Sequence, residues 1–286
     1  MNHQLLYDSA RGPMKVVVFA SGSGTNFREA VLESTRQGSN FSIELLVTDK
    51  QFKKAKPGGE RRLIGAIDYA SHFKIDYRFV DGFRECGSWP EAQKSVGGIR
   101  KYNRRCMIFN LRLLDAIQRF EREKGFVFDF ALLAGYMRLF RGPLLRRFNN
   151  RAVNMHPATL DELTNEGLRK YAGENAVYDA LTAGEVKTRS SVILVDPETD
   201  AGAILTSGPW AYYNGKSPVT RQFADAHQEE QKRISDWPAE RFTLRAIANG
   251  DFALSTRKFH FDGNPVVLYK GEEMPYGGFD LTNTGV

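Results

Sequence analysis

The chain has 286 residues, 42% of them hydrophobic and 26% charged, which excludes wholesale disorder and is enough to bury a sizeable core. Its 40 basic and 34 acidic residues leave a net charge of +6, which suits small anionic substrates and calls for neither nucleic acid nor a membrane surface. The longest apolar runs, such as Val16–Ala20, fall far short of a bilayer span. Cys86 and Cys106 form no CxxC pair and there is no HExxH, so no metal site is expected, and the two thiols read as reduced in a cytoplasm.

Met1–Pro13 lacks the apolar run of a secretory signal and reads as a loose tail. Met14–Ala20 (MKVVVFA) has the β-branched, apolar character of a buried strand. The turn Ser21–Asn26 (SGSGTN) leads into a helix over Phe27–Arg36, with Thr25 or Asn26 as its cap. A strand at Phe41–Thr48 precedes a Lys- and Gly-rich loop at Gln51–Arg62, where Lys53, Lys54, Lys56, Arg61 and Arg62 read as a solvated face. Leu63–Phe73 is a predicted helix and Ile75–Val80 a strand. Asp81–Gly98 is a long excursion. Tyr102–Lys124 is a long amphipathic helix whose apolar face is predicted at Ile108, Leu111, Leu114, Ile117 and Phe120. Phe128–Ala134 is a further strand. This βαβαβαβ alternation predicts a mostly parallel, Rossmann-like twisted sheet with helices on both faces.

The second half is less regular. Ala152–Met155 is a short strand, Thr159–Gly173 a loop and Asn175–Thr182 a helix. Ser190–Val195 and Ala203–Pro209 are strands around the turn Asp196–Gly202. A long helical region runs over Val219–Asn249, broken near Trp237–Pro238, and Phe252–Phe261 with Pro265–Tyr269 forms a hairpin about Asp262-Gly263-Asn264. No change in composition divides the chain, so residues 14–286 are expected to be one domain.

Two patterns carry chemistry. The strand–SGSGTN–helix unit sits where open α/β sheets bind ligands, and Gly22 and Gly24 let backbone N–H groups approach an anion at a helix N-terminus. The Walker lysine is absent. The dinucleotide fingerprint fails at its third glycine, where Phe27 stands, although Asp49 mimics the ribose-binding acid. The second pattern is VNMHP at Val153–Pro157. Residues two apart on an extended segment share a face, so Asn154 and His156 project together, an oxyanion donor beside a proton carrier. Asp200, in the turn DPETDAG, is the candidate carboxylate partner.

FASGSGTNF at Phe19–Phe27, LAGYMRLF at Leu133–Phe140, VNMHPA at Val153–Ala158 and DPETDAG at Asp196–Gly202 occur in the order found in the 10-formyltetrahydrofolate-dependent formyltransferases. From about Met14 to Tyr269 the chain resembles this family, most closely its glycinamide ribonucleotide formyltransferases of purine synthesis. The resemblance implies the formyltransferase fold, with a phosphate and amine-substrate half at 14–127 and a folate and catalytic half at 128–286. It implies catalytic roles for Asn154, His156 and Asp200, with a protonated His156 stabilising the oxyanion. Gly24, Thr25 and Asn26 would hold the acceptor's phosphate, and Gly135 and Gly173 would lie near the reacting amine. Met137, Arg138, Leu139, Phe140, Val195, Pro197, Glu198 and Thr199 would line the site of 10-formyltetrahydrofolate, the co-substrate. No metal is implied, and the partners are small molecules handled by a cytoplasmic monomer or homodimer.

The chain departs from the family in places. Ile193 stands where the family carries a second histidine, the Pro- and His-rich run after His156 is replaced, and Lys53–Arg62 and Glu85–Gly98 look like insertions. These changes leave room for a different amine acceptor, or for a catalytically impaired folate-binding homologue. A nicotinamide-dependent oxidoreductase rests only on the GxG turn and Asp49.

Overall fold

The computed structural model describes residues 2–53 and 60–283. Lys54 and Lys56 of the basic loop, and most of the expected insertion at 53–62, lie outside the described residues. The architecture is mixed α/β, with a mostly parallel sheet flanked by helices. The chain gathers into two compact units, one made of 14–36 with 42–152, the other of the residues up to Pro13, 37–41 and those from Val153 on.

In the first unit the strands lie in the order Phe130–Leu133, Met14–Phe19, Phe41–Thr48, Asp76–Phe79. Val16–Phe19 runs parallel to Phe130–Leu133, and Leu45–Thr48 parallel to Asp76–Phe79. The first two are almost wholly buried, which is why they read as unbroken apolar runs and do not alternate.

The long helix is Val96–Lys124, six residues longer at its start than the pattern suggests. Ser95 Oγ accepts from the Gly98 amide at 3.0 Å, and Gly125 closes the far end in the left-handed region with φ 73°, the usual division of labour between the two caps. Its buried face is Cys106, Phe109, Leu113, Ile117 and Phe120, while Ile108 and Leu111 are 47% and 51% exposed. Ile117 and Phe120 are buried as expected and Leu114 is half-buried, while at Ile108 and Leu111 the core is served by Phe109 and Leu113 instead, because several i, i+3, i+4 sets of apolar residues compete on this helix. The excursion before it contains the short helices Gly82–Cys86 and Trp89–Ala92.

In the second unit the strands follow the order Phe279–Asp280, Ile204–Ser207, Ser191–Leu194, Ala152–His156. Ser191–Leu194 is antiparallel to both of its neighbours, so Asn154 faces Ile193 and His156 faces Ser191. A separate antiparallel sheet joins His3–Leu5, Phe252–Phe259, Pro265–Tyr269 and Glu272–Glu273. The residues read as a loose tail therefore belong to the fold. His3 pairs opposite Ser255, and Leu6 and Tyr7 are buried; three residues of strand are too few for a sequence signal. The helices Arg221–Gln231 and Trp237–Ala248 are joined by a π-helical turn at Lys232–Asp236. Pro238 lies in the first turn of the second helix, where its missing N–H is tolerated.

The register of the long helix makes a direct prediction. Leu113→Ala should cost about 2–5 kcal/mol of stability as a core truncation, whereas Leu111→Ala should stay within about 0.5 kcal/mol. Urea unfolding of the two variants checks this, and equal losses would refute the observed face.

Candidate functional site

In the first unit the strand Met14–Phe19 ends in the turn Ser21–Gly24, and the helix Thr25–Ser34 begins at once. Its cap is Gly24, with φ 70° and no side-chain cap bond, and not Thr25 or Asn26. The first amides of the helix are therefore not capped by a side chain at Gly24, and they carry the positive end of its dipole. A Cβ on Gly24 would lie 2.5 Å from the Ala66 Cα. Only glycine permits this approach, and the Gly22 carbonyl takes the Ala66 amide at 3.2 Å. Gly65 is equally constrained, because a Cβ there would meet the Ser23 carbonyl. A cavity of about 660 Å³ opens beside the turn, lined by Ser23 and Thr25 and by Lys50, Lys53 and Tyr69. The two lysines follow the strand Phe41–Thr48, at the carboxyl end where α/β sheets place ligands. That position is the signal by which they could have been found. Asn26 is 8% exposed and its Oδ1 has no hydrogen-bond partner.

Ser21 ties this turn to the next predicted segment. Its amide donates to the Gly135 carbonyl at 3.2 Å, and its Oγ accepts from the Met137 amide at 2.9 Å. Of the four residues expected around the pterin, Met137 is 54% exposed and Leu139 half-buried. Phe140 is buried edge-on against Phe19 at 5.2 Å between ring centroids. Arg138 is turned inward, with Nε donating to Asp49 Oδ2 at 2.8 Å and Nη1 to the Gly87 carbonyl at 3.0 Å. Burial works against its charge, but the Asp49 carboxylate more than compensates and raises its pKa. Asp49 is 1% exposed. It is committed to Arg138 and not to a ribose, so the oxidoreductase reading keeps only the GxG turn.

In the second unit the alternation along Ala152–His156 sets Asn154 and His156 on one side of the strand. The turn after Ser191–Leu194 brings Asp200 to them. Asp200 Oδ1 lies 3.5 Å from His156 Nδ1 and 3.4 Å from Asn154 Nδ2, and Oδ2 accepts the Gly173 amide at 3.1 Å. Asp200 has φ 55°, left-handed for a residue with a side chain, and Gly173 has φ 92°. His156 Nε2 is buried and lacks a hydrogen-bond partner. Burial lowers the imidazole pKa, against the pull of the Asp200 carboxylate and the Tyr171 carbonyl, and the positive charge of Arg169 lowers it further. In the free protein the imidazole is therefore biased toward its neutral form at neutral pH.

Val195 is half-buried and Pro197, Glu198 and Thr199 are exposed. Between them Asp196 has its carboxyl pushed up to about 6, chiefly by burial. Ile193 packs with Leu160, Tyr171 and Ile204 in a closed apolar cluster, so this position offers Asp200 no hydrogen bond. Arg169, in a stretch read as plain loop, donates to the carbonyls of Asp200 and Gly202 at 2.5 and 2.8 Å. No spacing in the sequence pointed to it. Among the described residues no group of three or more His, Cys, Asp or Glu side chains is placed to hold a metal ion, and no helix is long and apolar enough to cross a membrane.

The chain matches the family described as formyl transferase over residues 14–211. A chloroplastic phosphoribosylglycinamide formyltransferase of Arabidopsis thaliana is 30% identical over 258 residues, 90% of this chain and 71% of that protein. The trifunctional purine biosynthetic protein adenosine-3 of Gallus gallus is 29% identical over 67% of this chain, and the match spans only 15% of that protein's length. Among solved structures, the phosphoribosylglycinamide formyltransferase of Coxiella burnetii superposes with a TM-score of 0.64 at 19% identity, covering 94% of this chain and 99% of that one. The glycinamide ribonucleotide transformylase 1 of Symbiobacterium toebii gives 0.58 at 23% identity, covering 86% and 92%. At these identities the two structures speak for the fold.

The depressed His156 pKa has a thermodynamic sign. Below the ordinary imidazole value of about 6.5 the unfolded chain takes up a proton that the folded state resists, so this group's contribution to stability falls as pH is lowered through that value. Urea unfolding at about pH 7.5 and about pH 5 should show wild type losing more stability than His156→Gln between the two. An equal loss in both proteins would contradict the buried, neutral imidazole.

Proposed function

Because the chain belongs to the formyl transferase family, we propose that it transfers a formyl group from 10-formyltetrahydrofolate to the primary amine of a phosphorylated acceptor, with glycinamide ribonucleotide as that acceptor. The observation that carries this reading is the meeting of Asn154, His156 and Asp200 about one carboxylate oxygen. The turn at Gly24, Thr25 and Asn26, with Lys50 and Lys53 beside it, supports a phosphate on the acceptor. Met137 and Leu139, and the loop from Val195 through Pro197, Glu198 and Thr199, are assigned to the folate. Exposed Met137 and half-buried Leu139 and Val195 leave apolar surface accessible in their segments. Arg138 and Phe140 support that surface from behind.

The folate supplies a formyl carbon bonded to nitrogen. As the acceptor's amine forms its bond to that carbon, the carbonyl electron pair moves onto oxygen, and the Asn154 amide donates a hydrogen bond to the growing charge. One such donor is worth about 10²–10³ in rate. The attacking nitrogen must lose a proton, and the departing folate nitrogen must gain one as its bond to carbon breaks. Neutral His156 takes up the first proton and returns it. Asp200 stabilises the imidazolium that forms in between, a service worth about 10²–10⁴ for the pair. The products are the formylated acceptor and tetrahydrofolate. Gly135 and Gly173 are each assigned to the acceptor, and each has open space where a side chain would stand.

Ile193 favours a second reading, a different amine acceptor, because the apolar cluster at that position changes how protons are relayed around Asp200. A cytoplasmic location and a monomeric or homodimeric state belong to the same proposal.

The test is the initial rate of tetrahydrofolate release from 10-formyltetrahydrofolate with and without glycinamide ribonucleotide. We expect release that depends on the ribonucleotide. His156→Ala should lower kcat by about 10²–10⁴, and Gly24→Ala should raise the acceptor's KM with a smaller effect on kcat. Release without acceptor would make the protein a hydrolase. Release with another phosphorylated amine only would select the second reading, and folate binding without release would mark an impaired homologue.

A further inference from the structure

We infer that Arg169 is a positioning residue that sets the Asp200 carboxylate against Asn154 and His156 by gripping the backbone of its turn. The inference rests on the reaction proposed above. Asp200 carries a side chain in the left-handed region, with φ 55°, a conformation that persists only where neighbours over-determine it. Three successive carbonyls of the turn are each taken by a side chain. Arg169 Nη1 donates to the Asp200 carbonyl at 2.5 Å, Asn264 Nδ2 to that of Ala201 at 2.7 Å, and Arg169 Nη2 to that of Gly202 at 2.8 Å. The planar guanidinium thus bridges residues 200 and 202, a reach that a lysine's single ammonium cannot copy. Gly202 is pressed against the Leu194 carbonyl with no room for a Cβ, so the turn has little freedom beyond the clamp.

Arg169 is itself held in place. Its Nε donates to Tyr276 Oη at 3.1 Å, and Tyr276 donates to Asp262 Oδ2 at 2.9 Å. The same Asp262 oxygen accepts from Asn264 Nδ2 at 2.8 Å. The Arg169 side chain is 8% exposed, and Asp262 lies 3.8 Å from its Nη2. Its short bonds go to the carbonyls and not to the carboxylate, so its donors are spent on the turn. A side chain serving only to balance a buried charge would have the opposite preference. The hairpin turn Asp262–Asn264 and Tyr276 thereby become a brace for the catalytic carboxylate.

The experiment combines kinetics with amide hydrogen exchange. Arg169→Ala should lower kcat about 100-fold, the cost of a misplacement near 1 Å, while the acceptor's KM changes less than about threefold and a cooperative unfolding transition is retained. Arg169→Lys should recover no more than about a tenth of the lost rate. In an Asp200→Asn background, Arg169→Ala should cost less than about threefold further, because both changes remove the same function. Additive losses, or full rescue by lysine, would overturn the inference. If Arg169→Ala does not fold, Asn264→Ala and Tyr276→Phe must show the same non-additivity with Asp200→Asn at smaller amplitude, and additive losses there would overturn it too. Exchange is read without turnover. The amides of residues 198–202 should exchange about tenfold faster in Arg169→Ala while those of Ser191–Leu194 do not change. Unchanged exchange in the turn would overturn the clamp even in an active enzyme. Accelerated exchange in a protein with no transferase activity would instead count against the proposed reaction and leave the clamp standing.

Discussion

Asp200 Oδ1 is shared between an amide and an imidazole, 3.4 Å from Asn154 Nδ2 and 3.5 Å from His156 Nδ1, and much of the second unit serves to keep it there. The strand Ala152–His156 must be extended for Asn154 and His156 to share a side. The antiparallel partner Ser191–Leu194 must end where it does for the turn to come back over them. The turn must then hold a left-handed aspartate, which it does through backbone carbonyls bonded from outside. The carboxylate in turn decides what His156 can be. Burial drives the imidazole toward its neutral form and Asp200 moderates that drive, so the ring is neutral when free and is stabilised once it gains a proton.

The first unit depends on a different device, close approach at glycine. Gly24 and Gly65 let the turn Ser21–Gly24 press against the start of the helix Gly65–Phe73, and Ser21 then carries the turn's position over to Gly135 and Met137. The Asp49–Arg138 pair is fully desolvated on the carboxylate side. It spends a residue that the motif alone assigns to a ligand on holding the segment's backbone in shape. Motifs record which residues a segment needs, and only packing shows which of them face the substrate.

The parts legible in the sequence are those governed by local periodicity. The βαβ alternation of the first unit and the pairing of Asn154 with His156 follow from spacings of a few residues. Only part of the buried face of Val96–Lys124 was legible, because Ile108 and Leu111 satisfy helical spacing as well as Phe109 and Leu113 do, and only what packs against the helix chooses between them. Arg169 was missed for a stronger reason. Its partners lie at Asp200, Gly202 and Tyr276, and no local rule relates an arginine in an irregular segment to carbonyls so far along the chain. His3–Leu5 was missed likewise, since its evidence as a strand is its partner.

That partner is Phe252–Phe259, and the pairing of His3 with Ser255 has a consequence during synthesis. The first unit is built from 14–36 and 42–152, so every one of its strands has left the ribosome well before the hairpin exists. The strand His3–Leu5 is made long before its partner. Until the hairpin emerges, its backbone donors and acceptors have no native partner, and the unit that holds Asp200 cannot close its outer sheet. Maturation of the nascent chain is therefore ordered, with the turn Ser21–Gly24 complete while the Asp200 carboxylate still lacks the brace that comes from Asp262, Asn264 and Tyr276.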